Sequence, residues 1–347
     1  MAQLSEETPA ARLLAGAVRD GICPGAAWAV GDAAGTLHEG TAGLLDPARP
    51  GEPVRPDTLY DVASLTKILA VWGVVGTLVD AGKLDLAAPL GTYWPAAAGR
   101  PVGDVTAHQL LTHTAGMPLR ANLRFLYGSD PQDVRDGVLA EPLRHRPGAA
   151  VAYTDRAALV LGWLAEHLAG RPLARLAGER VWGPLGMAGT RFGPLPPGEA
   201  ARCAPTEYDE ETGRHLRGTV HDFSARLLGG ACGIAGVFTT AGDTGRFLRG
   251  VLDPPPGTFS AAWTAASLRV GTGALVPPRG LLWHPAPGPS PAGGVWAHFG
   301  FTGTAMWISP ARGRWAVLLT NRLYVTRDPG PLARVREAFR AHVFEGS

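Results

Sequence analysis

Apolar residues recur along the chain with two periods, and each change of period separates helix from strand. Residues 9–20 carry apolar positions at helical spacing and stop at Gly21, which predicts an amphipathic helix. Pro24-Gly25 opens an apolar run from Ala26 to Val30. The turn Gly31-Asp32-Ala33-Ala34-Gly35 separates it from a second run, Thr36 to Gly43, a hairpin pattern. Residues 44–57 carry four prolines and predict loop. Asp61 to Asp80 reads as one long apolar helix with Ser64 near its start and Gly82 as its stop. Helices are expected at about 105–113, 131–140, 153–169 and 172–182; Leu159, Leu161, Leu164 and Leu168 show the spacing. Asp222 to Leu228 and Ala241 to Val251 add two more. The segment 284–294 is dense in Pro and Gly and predicts loop. Strand-like runs follow at 295–299, 304–309 and 315–320, and a closing helix at about 331–344.

This order places strands at both ends and helices between. Early and late strands can share one antiparallel sheet, with the middle helices inserted as a second body and a cleft between the two. The length of 347 residues suits two domains at roughly 150 residues each. No repeat of 20–50 residues is visible.

Composition removes several function classes. The formal charge of +2, from 32 basic and 30 acidic residues, excludes a strongly basic nucleic-acid binder by bulk electrostatics. Cys23, Cys203 and Cys232 are scattered and odd in number, with no metal-type spacing and no disulfide framework. No metal, cofactor, nucleic acid or protein partner is expected. Met1 to Ala10 is polar and acidic and lacks the pattern of a secretory signal. No stretch approaches 18 apolar residues, so no membrane span is expected and the cytoplasm is the default compartment unless a leader was trimmed.

The basic residues carry a sharper signal. Only two are lysines, Lys67 and Lys83, and Lys67 follows Ser64 by three positions, on one face of the same helix. With nine serines and two lysines such a pair arises by chance about 0.05 times. A serine hydroxyl needs a base to become a nucleophile. An amine can serve if its surroundings release its proton, whereas a guanidinium cannot. The helix start also offers free N–H groups to developing negative charge. The alternative is a Ser and Lys on a solvated face, which the apolar neighbours Val62, Ala63 and Ile68 to Val71 oppose. A second element, Tyr153-Thr154-Asp155, opens another helix. Tyr153 can shuttle the serine proton to a leaving group and Asp155 can accept from Lys67; the alternative is a helix cap beside a core tyrosine. The third, His298-Phe299-Gly300-Phe301-Thr302-Gly303-Thr304, suits close approach of a substrate to a strand, or a structural histidine in a Gly-rich turn.

Ser-x-x-Lys, then Tyr-x-Asp about 90 residues on, then His-x-Gly about 145 further, resembles the serine β-lactamase and penicillin-binding-protein superfamily, closest to its class C, esterase-type branch. Gly82-Lys83-Leu84-Asp85-Leu86 with Pro89, the run Leu110 to Met117, and Pro184-Leu185-Gly186-Met187 fit the same family, and the resemblance spans about residues 10–345. It implies an α/β fold: an antiparallel sheet flanked by helices, formed by 1–62 with 230–347, and a mainly helical domain at 63–229, with the active site between them. It implies an acyl-enzyme on Ser64, with Lys67 as general base and Tyr153 as partner base and proton donor. The backbone N–H groups of Ser64 and Phe301 would form the oxyanion hole.

Two departures bear on substrate. Asp155 stands where relatives commonly have Asn, and its charge is expected to raise the Lys67 pKa. His298 and Phe299 replace a Lys-Thr pair that helps bind the carboxylate of β-lactam and D-Ala-D-Ala substrates, which argues against those substrates. Strand alternation can also point Phe299 away from the cleft. Substrate contacts are expected from Asp155, His298, Phe299, Gly300, Tyr127 and His221, with Arg120, Arg124, Phe125 and Tyr127 in a covering loop, 119–130, or an ordinary connection. His221-Asp222 reads either as cleft rim or as a helix cap. No Gly-x-Ser-x-Gly elbow, His-Glu-x-x-His helix, phosphate loop or dinucleotide fingerprint is present. The expected function is a serine hydrolase acting on a small-molecule ester or amide. Alternatives are a transacylase delivering to an amine or alcohol, a β-lactamase or D,D-peptidase, and a non-catalytic binding protein on the same fold.

Overall fold

The computed structural model describes residues 8–119, 122–287 and 294–346. Within them the chain forms eleven strands: β1 (Gly25–Asp32), β2 (Thr36–Gly43), β3 (Tyr60–Asp61), β4 (Arg191–Phe192), β5 (Tyr208–Asp209), β6 (Arg214–His215), β7 (Val237–Thr239), β8 (His284–Pro285), β9 (Trp296–Phe299), β10 (Ala305–Ser309) and β11 (Arg314–Thr320). Six build one sheet in the order β2-β1-β11-β10-β9-β8, and each neighbouring pair in it is antiparallel. β1 pairs with β11 along its length, Trp28 opposite Leu318 and Val30 opposite Ala316. The early hairpin and the late strands therefore share a sheet, as the pattern predicts.

Both faces of this sheet are covered, which explains why β1 is apolar throughout rather than alternating with polar residues. Ala26, Trp28 and Val30 join Leu14 of the helix Pro9–Arg19 and Leu332 and Phe339 of the helix Gly330–Phe344 in one core. Ala27 and Ala29 point to the larger core on the other face, shared with Val71, Trp72, Phe247 and Leu248. Trp72 is its aromatic hub, with ring centroids 4.7–6.1 Å from Phe259, Trp263, Phe247 and Trp283.

The long apolar helix runs over Ala63–Asp80. It begins with a 3-10 turn, Ala63–Leu65, passes through a π-helical turn, Lys67–Trp72, and finishes as α-helix, Gly73–Asp80. By length and composition this stretch could cross a membrane, contrary to the expectation that none approaches a span, but 78% of it is buried inside the protein. The expected helices at 131–140, 153–169 and 241–251 appear as Pro131–Ala140, Asp155–Ala169 and Ala241–Leu252.

Three readings change. Within the expected loop 119–130, Leu123–Tyr127 is a short helix capped by Asn122 Oδ1, which accepts from Phe125 N; Arg120 lies outside the described residues. In the expected loop 284–294, His284–Pro285 adds an edge strand opposite Trp296 and Ala297, a place where proline's missing N–H is tolerated; residues 288–293 lie outside the description. Ala261–Ser267 forms a helix that the pattern did not predict. Ser260 caps it, and Ser267 Oγ accepts from the buried indole of Trp72 at 2.8 Å.

Candidate active site

Ser64 sits on a strained turn. Ala63, the residue before it, has φ +47°, a conformation that costs a non-glycine residue about 1 kcal/mol or more and persists only when its surroundings enforce it. Asp61 is the enforcing residue. It is buried; its Oδ1 accepts from Ala63 N at 2.9 Å and its Oδ2 from His221 N at 2.8 Å. Burial raises the Asp61 pKa, and these backbone donors and the nearby His221 oppose the shift. Nothing in the sequence singled out Asp61, because its partners lie two and 160 positions away.

Lys67 is fully buried and places its ammonium among three acceptors: Ser64 Oγ at 3.0 Å, the Ile234 carbonyl at 2.8 Å and Asp155 Oδ1 at 2.9 Å. Burial alone would lower its pKa, but the Asp155 carboxylate and then Tyr153 prevail, and the pKa lies above the ordinary lysine value. The expectation that Asp155 raises the Lys67 pKa matches this geometry. The Tyr153 hydroxyl donates to Ser64 Oγ at 3.2 Å, and its ring is flanked by Lys67 Nζ at 5.6 Å and the Arg279 guanidinium at 5.8 Å. His113, from the Leu110 to Met117 run, packs its ring 4.6 Å from that of Tyr153. Burial first, then the Arg279 and Lys67 charges, push the His113 pKa down to about 3.

The end of helix Asp155–Ala169 that carries this group is pinned from below. Thr154 caps it, accepting from Arg156 N and donating to the Pro118 carbonyl at 2.6 Å. Arg156 is buried in an ion pair with Glu141, and Arg156 Nη1 also donates to the Leu119 carbonyl at 2.5 Å. Tyr127, expected at the substrate, instead donates to Glu141 Oε1 at 2.6 Å and is absent from the cleft lining. Tyr127 thus supports the site through Glu141. Burial, then Glu141, raises its pKa to about 12.

The turn between β9 and β10 closes against the serine. Thr302 Oγ1 donates to the Asp61 carbonyl at 2.7 Å and Thr304 Oγ1 to the Val62 carbonyl at 3.1 Å. Gly300 is required here: a Cβ would lie 2.1 Å from Thr304 Oγ1 and 2.4 Å from the Val62 oxygen. His298 faces the cleft side of the sheet. Its Nδ1 meets the Leu282 carbonyl at 2.8 Å; a carbonyl only accepts, so Nδ1 carries the hydrogen. Burial, His284 and Lys67 hold its pKa well below the usual histidine value, so it is a neutral imidazole rather than a stand-in for a lysine cation. Phe299 borders the cleft, but its ring packs 5.8 Å from Trp307 in the opposite core, as alternation allows.

A cleft of about 380 Å³ unites these groups; Ser64, Tyr153, Asp155, His221, His298, Gly300 and Phe301 line it, together with Arg279, Arg322 and Arg336. Both readings of His221-Asp222 hold. Asp222 caps the helix Phe223–Leu227, and the His221 ring stacks 5.9 Å from Phe301. Burial would lower the His221 pKa, but Glu207 and the carboxylates of Asp61 and Asp222 raise it overall. The three arginines were not anticipated: they lie 215–272 positions beyond Ser64 and reach it only through the sheet and the last helix.

The sequence profile of the Beta-lactamase family matches residues 10–339. The chain belongs to the β-lactamase family. A putative D-alanyl-D-alanine carboxypeptidase of Escherichia coli K12 is 28% identical over 320 residues, 78% of this chain and 71% of that protein. Among solved structures, EstCE1, described as a hydrolase with promiscuous acyltransferase activity, superposes with a TM-score of 0.79 at 18% identity, covering 96% of this chain and 97% of its own. A LovD6 mutant of simvastatin synthase (LovD) from Aspergillus terreus superposes with a TM-score of 0.75 at 21% identity, covering 97% of each chain. These structural likenesses show the β-lactamase fold, and the family is one of serine hydrolases and acyltransferases.

Proposed function

We propose that this β-lactamase-family chain cleaves a small-molecule ester or amide through an acyl-enzyme on Ser64. The observation that carries the reading is the Ser64 Oγ held at 3.0 Å from Lys67 Nζ and 3.2 Å from the Tyr153 hydroxyl. The cleft is read as the seam between a part made of 1–62 with 230–347 and a part made of 63–229.

The chemistry follows from the charges. Lys67 keeps its proton at rest because three acceptors surround it. The serine proton therefore passes to Tyr153, whose hydroxyl can exchange donor and acceptor roles with Ser64 by rotation. As Ser64 Oγ bonds to the substrate carbonyl carbon, Tyr153 takes the serine proton and gives its own to the departing oxygen or nitrogen. This moves the expected general-base role from Lys67 to Tyr153, with Lys67 and Arg279 supplying positive charge beside the relay. The N–H groups of Ser64 and Phe301 receive the oxyanion. Water reverses the relay and releases an acid; an alcohol or amine in its place makes the enzyme a transacylase. EstCE1, described as a hydrolase with promiscuous acyltransferase activity, is a precedent on this fold for water and for another acceptor.

A second reading, a D-alanyl-D-alanine carboxypeptidase, is favoured by the E. coli relative and by the Arg279 guanidinium, a cation in the cleft where His298 supplies none. Intact-mass spectrometry decides. Native protein exposed to p-nitrophenyl acetate or a fluorophosphonate is expected to gain one adduct and Ser64→Ala none; penicillin and D-Ala-D-Ala peptides are expected to react slowly or not at all. No adduct on the native chain, or equal turnover by Ser64→Ala, overturns the ester reading. Rapid release of D-alanine would install the second.

A further inference from the structure

We infer that Arg336 is a positioning residue of the oxyanion site: it holds and polarises the peptide whose N–H receives the developing negative charge. The inference rests on the proposed role of the Phe301 N–H.

That N–H and the Gly300 carbonyl belong to one peptide group. Arg336, on the closing helix Gly330–Phe344, donates from Nη2 to the Gly300 oxygen at 3.0 Å and to the Thr304 oxygen at 2.7 Å. Gly300 N also donates to Thr304 O at 2.8 Å, and Gly303 N to Gly300 O at 3.2 Å. One guanidinium nitrogen thus bridges the two carbonyls at the neck of the turn. Arg322 Nη2 takes the next carbonyl, Phe301 O, at 2.5 Å.

Peptide resonance connects the two ends of the group. A cation on the carbonyl oxygen draws electron density along the C–N bond and leaves the N–H hydrogen more positive. The bond is charge-assisted and lies in a partly buried site, where such interactions are stronger than in water. The effect is realised where charge appears, in the tetrahedral intermediates of acylation and deacylation, rather than in ground-state binding. Arg336 also lies 5.0 Å over the Phe299 ring, which fixes the side chain against the sheet edge. Both bonds come from one nitrogen, so a lysine keeps the charge and its loss should be smaller than that of an uncharged glutamine.

The test uses the full chain and an isotope-edited infrared spectrum of the acyl-enzyme formed with a ¹³C-carbonyl p-nitrophenyl ester. A polarised oxyanion site lowers the acyl carbonyl stretching frequency. Arg336→Gln is expected to raise that frequency and to lower kcat roughly tenfold with KM little changed, a smaller loss than removing an oxyanion donor outright, and Arg336→Lys to shift both less. Added methylguanidinium should partly restore kcat in Arg336→Ala. A frequency and kcat equal to the native values in folded Arg336→Lys and Arg336→Gln overturn the inference while leaving the acyl-enzyme reading in place. A rise in KM alone, or no rescue of folded Arg336→Ala by methylguanidinium, also overturns it. Failure of the native chain to form any acyl-enzyme overturns the underlying reading, and this inference with it.

Discussion

In the proposed mechanism, Lys67 is the residue on which the chemistry turns. Three N–H bonds meet three acceptors, and the Asp155 carboxylate at 2.9 Å raises the pKa above the ordinary lysine value despite full burial. Asp155→Asn removes that charge, so the Lys67 pKa must fall. If the ammonium is the working form, activity is lost as pH rises through the lysine pKa, and the alkaline limb of kcat/KM moves to lower pH in the variant. If the free amine were the base, the variant would instead become faster near neutrality and its acid limb would move down. A pH–rate profile of both proteins separates the cases. The Ser64–Lys67 pairing was legible from spacing alone, since three positions on a helix define one face. The protonation of Lys67 was legible only in direction, because Ile234 and Tyr153 lie 167 and 86 positions away.

At the scale of elements, the helix Asp155–Ala169 delivers Tyr153 and Asp155, and the buried Glu141–Arg156 pair sets its position. Glu141→Ala leaves a guanidinium buried without its carboxylate, a loss of about 3–5 kcal/mol. The expected result is a much lower urea midpoint, with kcat/KM reduced under conditions where the protein stays folded. Glu179→Ala, which breaks the exposed pairs with Arg171 and Arg175, should leave the urea midpoint nearly unchanged. Equal midpoints for the two variants would refute the anchoring role. Long periodic helices were readable because their apolar face repeats over several turns. The helix Leu123–Tyr127 and strand β8 were not: five and two residues are too short for a period, and their form depends on Asn122 and on β9.

For the whole molecule, acid is the condition that threatens the fold. Burial holds His113 and His284 down to about 3 and about 4, and His298 well below its usual value. The unfolded chain takes up these protons near the ordinary value of 6.5 and the native chain does not, so stability falls as pH drops below about 6.5 until the native values are reached. His221 acts in the opposite sense: its raised pKa contributes stability below the unfolded value that is lost as pH rises through the folded one. His108 is also held below its usual value, by burial and then Arg269, so four depressed histidines oppose one raised one. Urea midpoints should fall between pH 6.5 and 4.5, and less steeply in His298→Gln. A flat profile, or an unchanged slope in the variant, would contradict this balance.

By itself the sequence determined what repeats or sits close along the chain. Apolar periods set the helices and the sheet-forming runs, and the Ser64-x-x-Lys67 spacing put the hydroxyl and the amine on one face. Tertiary structure alone decided the rest. It set the strain at Ala63 held by Asp61, moved Tyr127 from substrate contact to support, turned the Phe299 ring into the opposite core, and brought Arg279, Arg322 and Arg336 to the cleft that Ser64 lines. The reason is physical: local spacing follows from backbone geometry, whereas contacts across more than a hundred residues exist only once the sheet has closed and both of its faces are buried.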